Sequence, residues 1–220
     1  MSHDDFAVEP IEGLPELPPE GEHIIWQGRP NWWALTNESL NLKWVIGYFV
    51  VLAVWRFVTM IDRVSASEAF AASFPFIILG AICCALLMLI GYVQARSAVY
   101  TLTNRRVAMR IGAALTVTLN LPFTQINRAD LALRKSGIGT IALDLKGDTK
   151  LSYLVCWPHV RPWMFRRPQP ALRCIPEAQK IAGLLAEAAE SQLNMPQVVR
   201  RDAVEPTHAR PANAGTVAAE

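Results

Sequence analysis

Between Phe70 and Val93 the chain runs 24 residues without a charged side chain. As a helix rising ~1.5 Å per residue this stretch reaches ~36 Å, enough to cross a ~30 Å hydrocarbon core with some tilt. A buried helix of a soluble domain rarely stays uncharged for so long. Pro75 is expected in the first turn, where its missing N–H costs little. Tyr92 closes the segment at interface depth, with Gln94 and Arg96 directly behind it.

Trp44–Ile61 is a second apolar run, ~27 Å long as a helix. Arg56 interrupts it but lies five residues from Ile61, close enough to snorkel. The two runs predict a hairpin joined by a short loop over Asp62–Ala69. Gly80 with Cys84, and Ala81 with Ala85, have the small-xxx-small spacing of a close helix seam. That seam serves the hairpin itself or a helix of a partner, including a second copy of the chain. Lys43, Arg96, Arg105, Arg106 and Arg110 flank the outer ends, so both termini are expected in the cytoplasm.

The formal net charge of +2 conceals an asymmetry. Residues 1–40 carry eight carboxylates against Arg29 alone, whereas residues 98–176 carry twelve Lys or Arg against Asp130, Asp144 and Asp148. Residues 1–22, acidic and proline-rich, read as a mobile arm. Residues 23–43 read as a short strand followed by an interfacial segment containing Trp32 and Trp33. Residues 44–96 are then the hairpin, 97–193 a cytoplasmic domain and 194–220 a disordered tail.

Within 97–193 the apolar period changes to two. Alternation around Tyr100–Leu102, Val107–Ile111, Leu115–Leu121, Leu131–Leu133, Ile141–Leu145 and Leu151–Trp157 predicts successive short antiparallel strands. A turn is expected at Lys146–Asp148. Such strands suggest a small barrel or sandwich. Residues 158–176 are expected as a loop rich in Pro, Arg and Trp, and Pro176 is expected to open a helix whose Ile181, Leu184, Leu185 and Ala188 form one stripe covering the barrel's end. The overall expectation is a membrane α+β chain, a two-span hairpin followed by an antiparallel β-barrel with a C-terminal capping helix.

Little in the chain points to catalysis. Gly137-Ile-Gly139-Thr-Ile-Ala142 matches a dinucleotide pattern by letter, but a strand follows where that motif needs a helix. The four histidines are scattered, the four cysteines include no C-x-x-C, and no nucleophile elbow or paired-carboxylate motif is present. A non-enzymatic chain is expected, without cofactor, metal or nucleic-acid partner. His159 is weighed as a magnesium ligand of a (bacterio)chlorophyll and as a plain loop histidine, the latter favoured.

The most informative stretch is Trp157–Pro170, where aromatics and arginines sit on a proline-stiffened loop. Arg161, Trp163, Met164, Phe165, Arg166 and Arg167 are the candidate partner contacts, because such side chains bury area at low entropic cost. The competing reading packs Trp157 and Trp163 into the barrel and gives the arginines to lipid headgroups. Arg96, Arg105, Arg106 and Arg110 are candidate contacts to an anionic lipid surface.

Tyr100–Gly112, with Leu121-Pro-Phe123 and Ile126, resembles bacterial pleckstrin-homology (PH)-like membrane domains. Gly21–Trp26 and Arg29-Pro30 resemble the segment those proteins place before a membrane hairpin. More specifically, Trp26–Pro30, Met109–Gly112, Thr118–Phe123, Trp157–Trp163 and Leu172–Pro176 resemble the PuhB family of photosynthetic complex assembly proteins of purple bacteria. This resemblance spans roughly residues 14–190. It implies a non-catalytic factor in the photosynthetic inner membrane, with reaction-centre and core light-harvesting polypeptides as partners. A general lipid-binding envelope protein is the rival expectation.

Overall fold

The computed structural model describes residues 10–113, 115–147 and 151–194. The chain begins in a sheet, leaves it for three helices and returns to the same sheet. Strand β1 (Ile24–Gly28) is followed by α1 (Trp32–Ser39), α2 (Leu42–Ile61) and α3 (Ala66–Ser97), and then by β2 (Val99–Thr103). β1 and β2 are antiparallel neighbours, with Trp26 opposite Leu102. The hairpin is therefore an excursion between two paired strands, and β1 belongs to the domain that follows.

α2 and α3 are both long and apolar enough to cross a membrane. Only 6% and 11% of their most apolar windows is buried, so lipid or another protein must cover the remainder. α3 starts at a capping box in which Ser65 and Glu68 satisfy each other's backbone N–H groups. That cap begins the helix earlier than expected and shortens the loop to Asp62–Ser65. It also leaves Pro75 inside the helix and not in its first turn. Gly80 packs on Phe49, where an added Cβ would lie 2.8 Å from the Phe49 Cβ. The small-residue seam thus holds the hairpin's own helices together.

β3 (Arg106–Ile111) and β4 (Val117–Pro122) complete a four-stranded sheet in the order β1-β2-β3-β4. After a 3-10 turn at Phe123–Gln125 come β5 (Ile126–Leu133), β6 (Gly139–Leu145), the short α4 (Tyr153–Cys156), β7 (Ala171–Ile175) and α5 (Ala178–Leu193). β5, β6 and β7 form a separate three-stranded antiparallel sheet. The two sheets share one core, including Tyr100, Met109, Ile111, Ile141, Leu143 and Leu172. Ile181, Leu185 and Ala188 of α5 close it, as the stripe predicts.

Two expectations are corrected. The described residues form two sheets and no closed barrel, since neither β4 with β5 nor β7 with β1 is paired. The strand expected over Leu151–Trp157 is replaced by the helical turn α4, and the last strand is β7, inside the expected loop. β7 is buried along its whole length despite carrying Arg173, whose charge disguises it in the sequence. The described part of the acidic arm is mostly exposed and is held to the domain at three points. Leu14 is buried, Glu12 pairs with Arg29, and Glu22 pairs with Arg106 at 2.9 Å. Residues 1–9, most of the expected tail and Asp148 of the expected turn lie outside the described residues.

Gly137 sits in the β5–β6 turn at a φ of 78°, and Gly139 starts β6 with Ala178 and the Ala132 carbonyl too close for a Cβ. These glycines are structural. α5 begins at Ala178 behind Glu177, which occupies the left-handed region, so Pro176 lies two residues ahead of the helix.

Candidate functional site

A buried polar chain ties the domain to the hairpin. The Tyr100 hydroxyl lies 2.6 Å from His159 Nδ1 and accepts the Arg173 backbone N–H at 3.3 Å. Both side chains are fully buried. Burial, with the Arg173 charge as a smaller cause, pushes His159 down to about 3. Burial raises Tyr100 far above the ordinary phenol range. Both groups are therefore neutral at physiological pH, and they share one hydrogen bond between the hydroxyl and Nδ1. His159 is a core residue, fully buried, and its Nε2 has no hydrogen-bond partner among the described residues.

Arg173 continues the chain outward. Its guanidinium donates to the Pro158 carbonyl at 3.3 Å and to Glu38 at 3.5 Å. Glu38 also holds Arg134 at 2.6 Å. Glu38 is on α1, four residues before α2 begins. Next to it Cys174 is pushed up to about 12, by burial first and then by the Glu38 charge. Thiolate chemistry at Cys174 is thereby suppressed.

The aromatic loop leaves the domain through a closed stem. Val160 bridges to Pro170, and the Arg161 backbone N–H donates to the Gln169 carbonyl at 2.9 Å. The Arg161 guanidinium is engaged with Asp130 at 2.7 Å and Gln169 at 3.1 Å. This hydrogen bond, with the Arg128 charge, holds Asp130 below the usual carboxylate range. Arg161 thus braces the stem.

Trp163, Met164, Phe165, Arg166 and Arg167 are all exposed beyond that stem. The Phe165 ring lies 4.5 Å from Tyr153 and 6.3 Å from Trp163. Trp157 instead packs against the core, so the competing readings divide between the two tryptophans. Leu154 and Val155 of α4 extend the exposed apolar surface. The alternation expected over Leu151–Trp157 would put Val155 and Leu154 on opposite faces of a strand. Their helical turn, with both side chains outward, has no signal in so short a stretch.

The four candidate lipid-contact arginines are not gathered together. Arg96 is exposed in the last turn of α3, and Arg110 is opposite Val99, at the hairpin end of β2. Arg105 and Arg106 lie past the other end of β2, ~17 Å away along a five-residue strand. Arg106 is engaged with Glu22.

An open cleft of about 360 Å³ lies between these features, lined in part by Glu38, Asp130, Arg134, Arg161, Pro162 and Arg173. Its arginines face carboxylates already paired to them. No group of three or more His, Cys, Asp or Glu suited to a metal occurs among the described residues.

Residues 48–189 match the family model described as "Bacterial PH domain". A Rhodobacter capsulatus protein, described as an uncharacterized 23.7 kDa protein in the puhA 5' region, is 47% identical over 201 residues. That alignment covers 90% of this chain and 94% of the relative. A crystal structure of a DUF1696 family protein with a pleckstrin-homology domain from Shewanella loihica matches with a TM-score of 0.28 and 12% identity. The match covers 42% of this chain and 71% of that one. Two long apolar helices, an antiparallel PH-like domain with a C-terminal helix, and 47% identity along nearly the whole chain to the protein of the puhA 5' region agree: the chain belongs to the bacterial PH-domain family and is of the PuhB type.

Proposed function

We propose that the chain is a membrane-anchored, non-catalytic assembly factor for the photosynthetic reaction centre and core light-harvesting complex. The observation that carries this reading is the 47% identity, along nearly the whole chain, to a protein encoded in the 5' region of puhA. That gene context supports a photosynthetic role. α2 and α3 hold the chain in the inner membrane, with both termini in the cytoplasm because Lys43 and Arg96 flank the outer ends. The PH-like domain then makes its contacts at the cytoplasmic surface, with reaction-centre and antenna polypeptides and with anionic lipid.

The buried chain from His159 through Arg173 to Glu38 supports a positioning role. It fixes the domain to the segment entering α2, so contacts are offered at a set height and angle. Mild-detergent purification of the full chain from photosynthetically grown cells tests the reading. Reaction-centre or core antenna polypeptides are expected to co-purify. Recovery with lipid alone overturns the assembly role in favour of a general lipid-binding protein.

A further inference from the structure

We propose that the loop tip Trp163–Arg167, with Leu154 and Val155 beside it, is a second membrane contact that enters the interface of an anionic bilayer and sets the tilt of the domain over the hairpin. The proposal requires α2 and α3 to span the bilayer and does not depend on the assembly role.

The position of the bilayer surface follows from helix packing. Phe49 of α2 sits against Gly80 of α3, which brings the start of α2 beside the residues near Leu87. The last ~10 residues of α3, ~15 Å, therefore extend beyond α2. α1 covers this extension, with Thr36 against Gly91 and Leu35 clustered with Ala95. Trp32, Trp33 and Tyr92 are exposed here, with the Trp32 ring centre 5.6 Å from that of Trp33 and 6.2 Å from that of Tyr92. Such a cluster at the mouth of apolar helices marks the aromatic belt at the membrane–water interface.

The loop starts near this level. Glu38 lies in the last turn of α1, four residues before α2, and the cleft it lines is also lined by Pro162, the residue before the tip. Beyond Pro162 the apolar side chains are unusually bare. Leu154 and Trp163 are each 83% exposed, Phe165 59% and Val155 52%. Water is a poor environment for this much contiguous apolar surface.

Charge selects the occupant. From residue 149 to residue 176 the sequence contains no carboxylate, while Arg166 and Arg167 follow the aromatics directly. Aromatic side chains with adjacent arginines suit the boundary between headgroup phosphates and acyl chains. The braced stem, with Arg161 held by Asp130, presents the tip at small further entropic cost.

The test uses the full chain reconstituted in bilayers of phosphatidylcholine and phosphatidylglycerol. A nitroxide is attached through Met164→Cys, after Cys83→Ala and Cys84→Ala; Cys156 and Cys174 are buried and stay in place. Parallel labels at Leu79→Cys, mid-way along α3, and Ser191→Cys, at the far end of α5, report lipid and water. The ratio of relaxation by oxygen to relaxation by an aqueous nickel chelate is expected to be several-fold higher at 164 than at 191. Adding Trp163→Ser and Phe165→Ser is expected to bring the 164 ratio down to the 191 value. A lipid-like 79 with a water-like 164 overturns the loop contact alone, whereas a water-like 79 overturns spanning and the loop contact together. A ratio at 164 that rises only when reaction-centre polypeptides are added identifies a protein contact and overturns the proposal.

Discussion

Glu38→Ala is expected to destabilise the full chain by about 3 kcal/mol, the lower end of the range for removing one partner of a buried ion pair. The Arg173 side chain is only 5% exposed, and Glu38 is the carboxylate that reaches it. Without Glu38 the guanidinium retains the Pro158 carbonyl, too little to compensate a buried charge. Arg134→Ala removes the other partner of Glu38, but that arginine is 55% exposed, and the expected cost is below about 1 kcal/mol. Thermal unfolding of the detergent-solubilised chain separates the two. Equal midpoints for both variants would show that Glu38 does not hold Arg173. Glu38→Leu combined with Arg173→Met is expected to recover much of the loss, because the cost lies in the stranded charge.

His159 gives the second large effect, a pH dependence. Its folded value, about 3, lies below the usual value for a free imidazole. The folded state therefore resists a proton that the unfolded state accepts. The stabilisation from keeping the ring neutral is complete above about pH 6.5 and is lost as pH falls from there toward 3. Within that window the slope approaches about 1.4 kcal/mol per pH unit. In His159→Gln that slope is expected to vanish, at a cost of about 1–3 kcal/mol at neutral pH from the broken contact with Tyr100. Unfolding midpoints of both chains at pH 7.5, 5.5 and 4.5 provide the check. Parallel pH dependences in the two chains would contradict a neutral, buried His159.

The two long apolar helices were legible in the sequence because length and absence of charge are both local quantities. Their partners were less legible. That Gly80 serves Phe49 and Gly91 serves Thr36 depends on packing between segments, which spacing alone leaves open. The α5 stripe was legible for the same reason as the spans, since one face of a helix repeats along the chain. β7 was hidden because Arg173 and Cys174 lie in a strand buried on both sides, where alternation carries no information. His159 appeared as a loop histidine because its partner, Tyr100, is 59 residues away. The aromatic loop was singled out by composition alone. Only the structure separates Arg161, which braces the stem, from Trp163 and Phe165, which stand outside it.

The most direct test of the assembly role is the amount of finished complex in cells without the chain. In-frame removal of the gene is expected to lower the near-infrared absorbance of reaction centre and core antenna in isolated membranes, with transcripts of neighbouring genes unchanged. Restoring the full chain in trans is expected to recover both signals, and a chain lacking Leu42–Ser97 is not. Unchanged absorbance after removal would contradict a role in assembling these complexes.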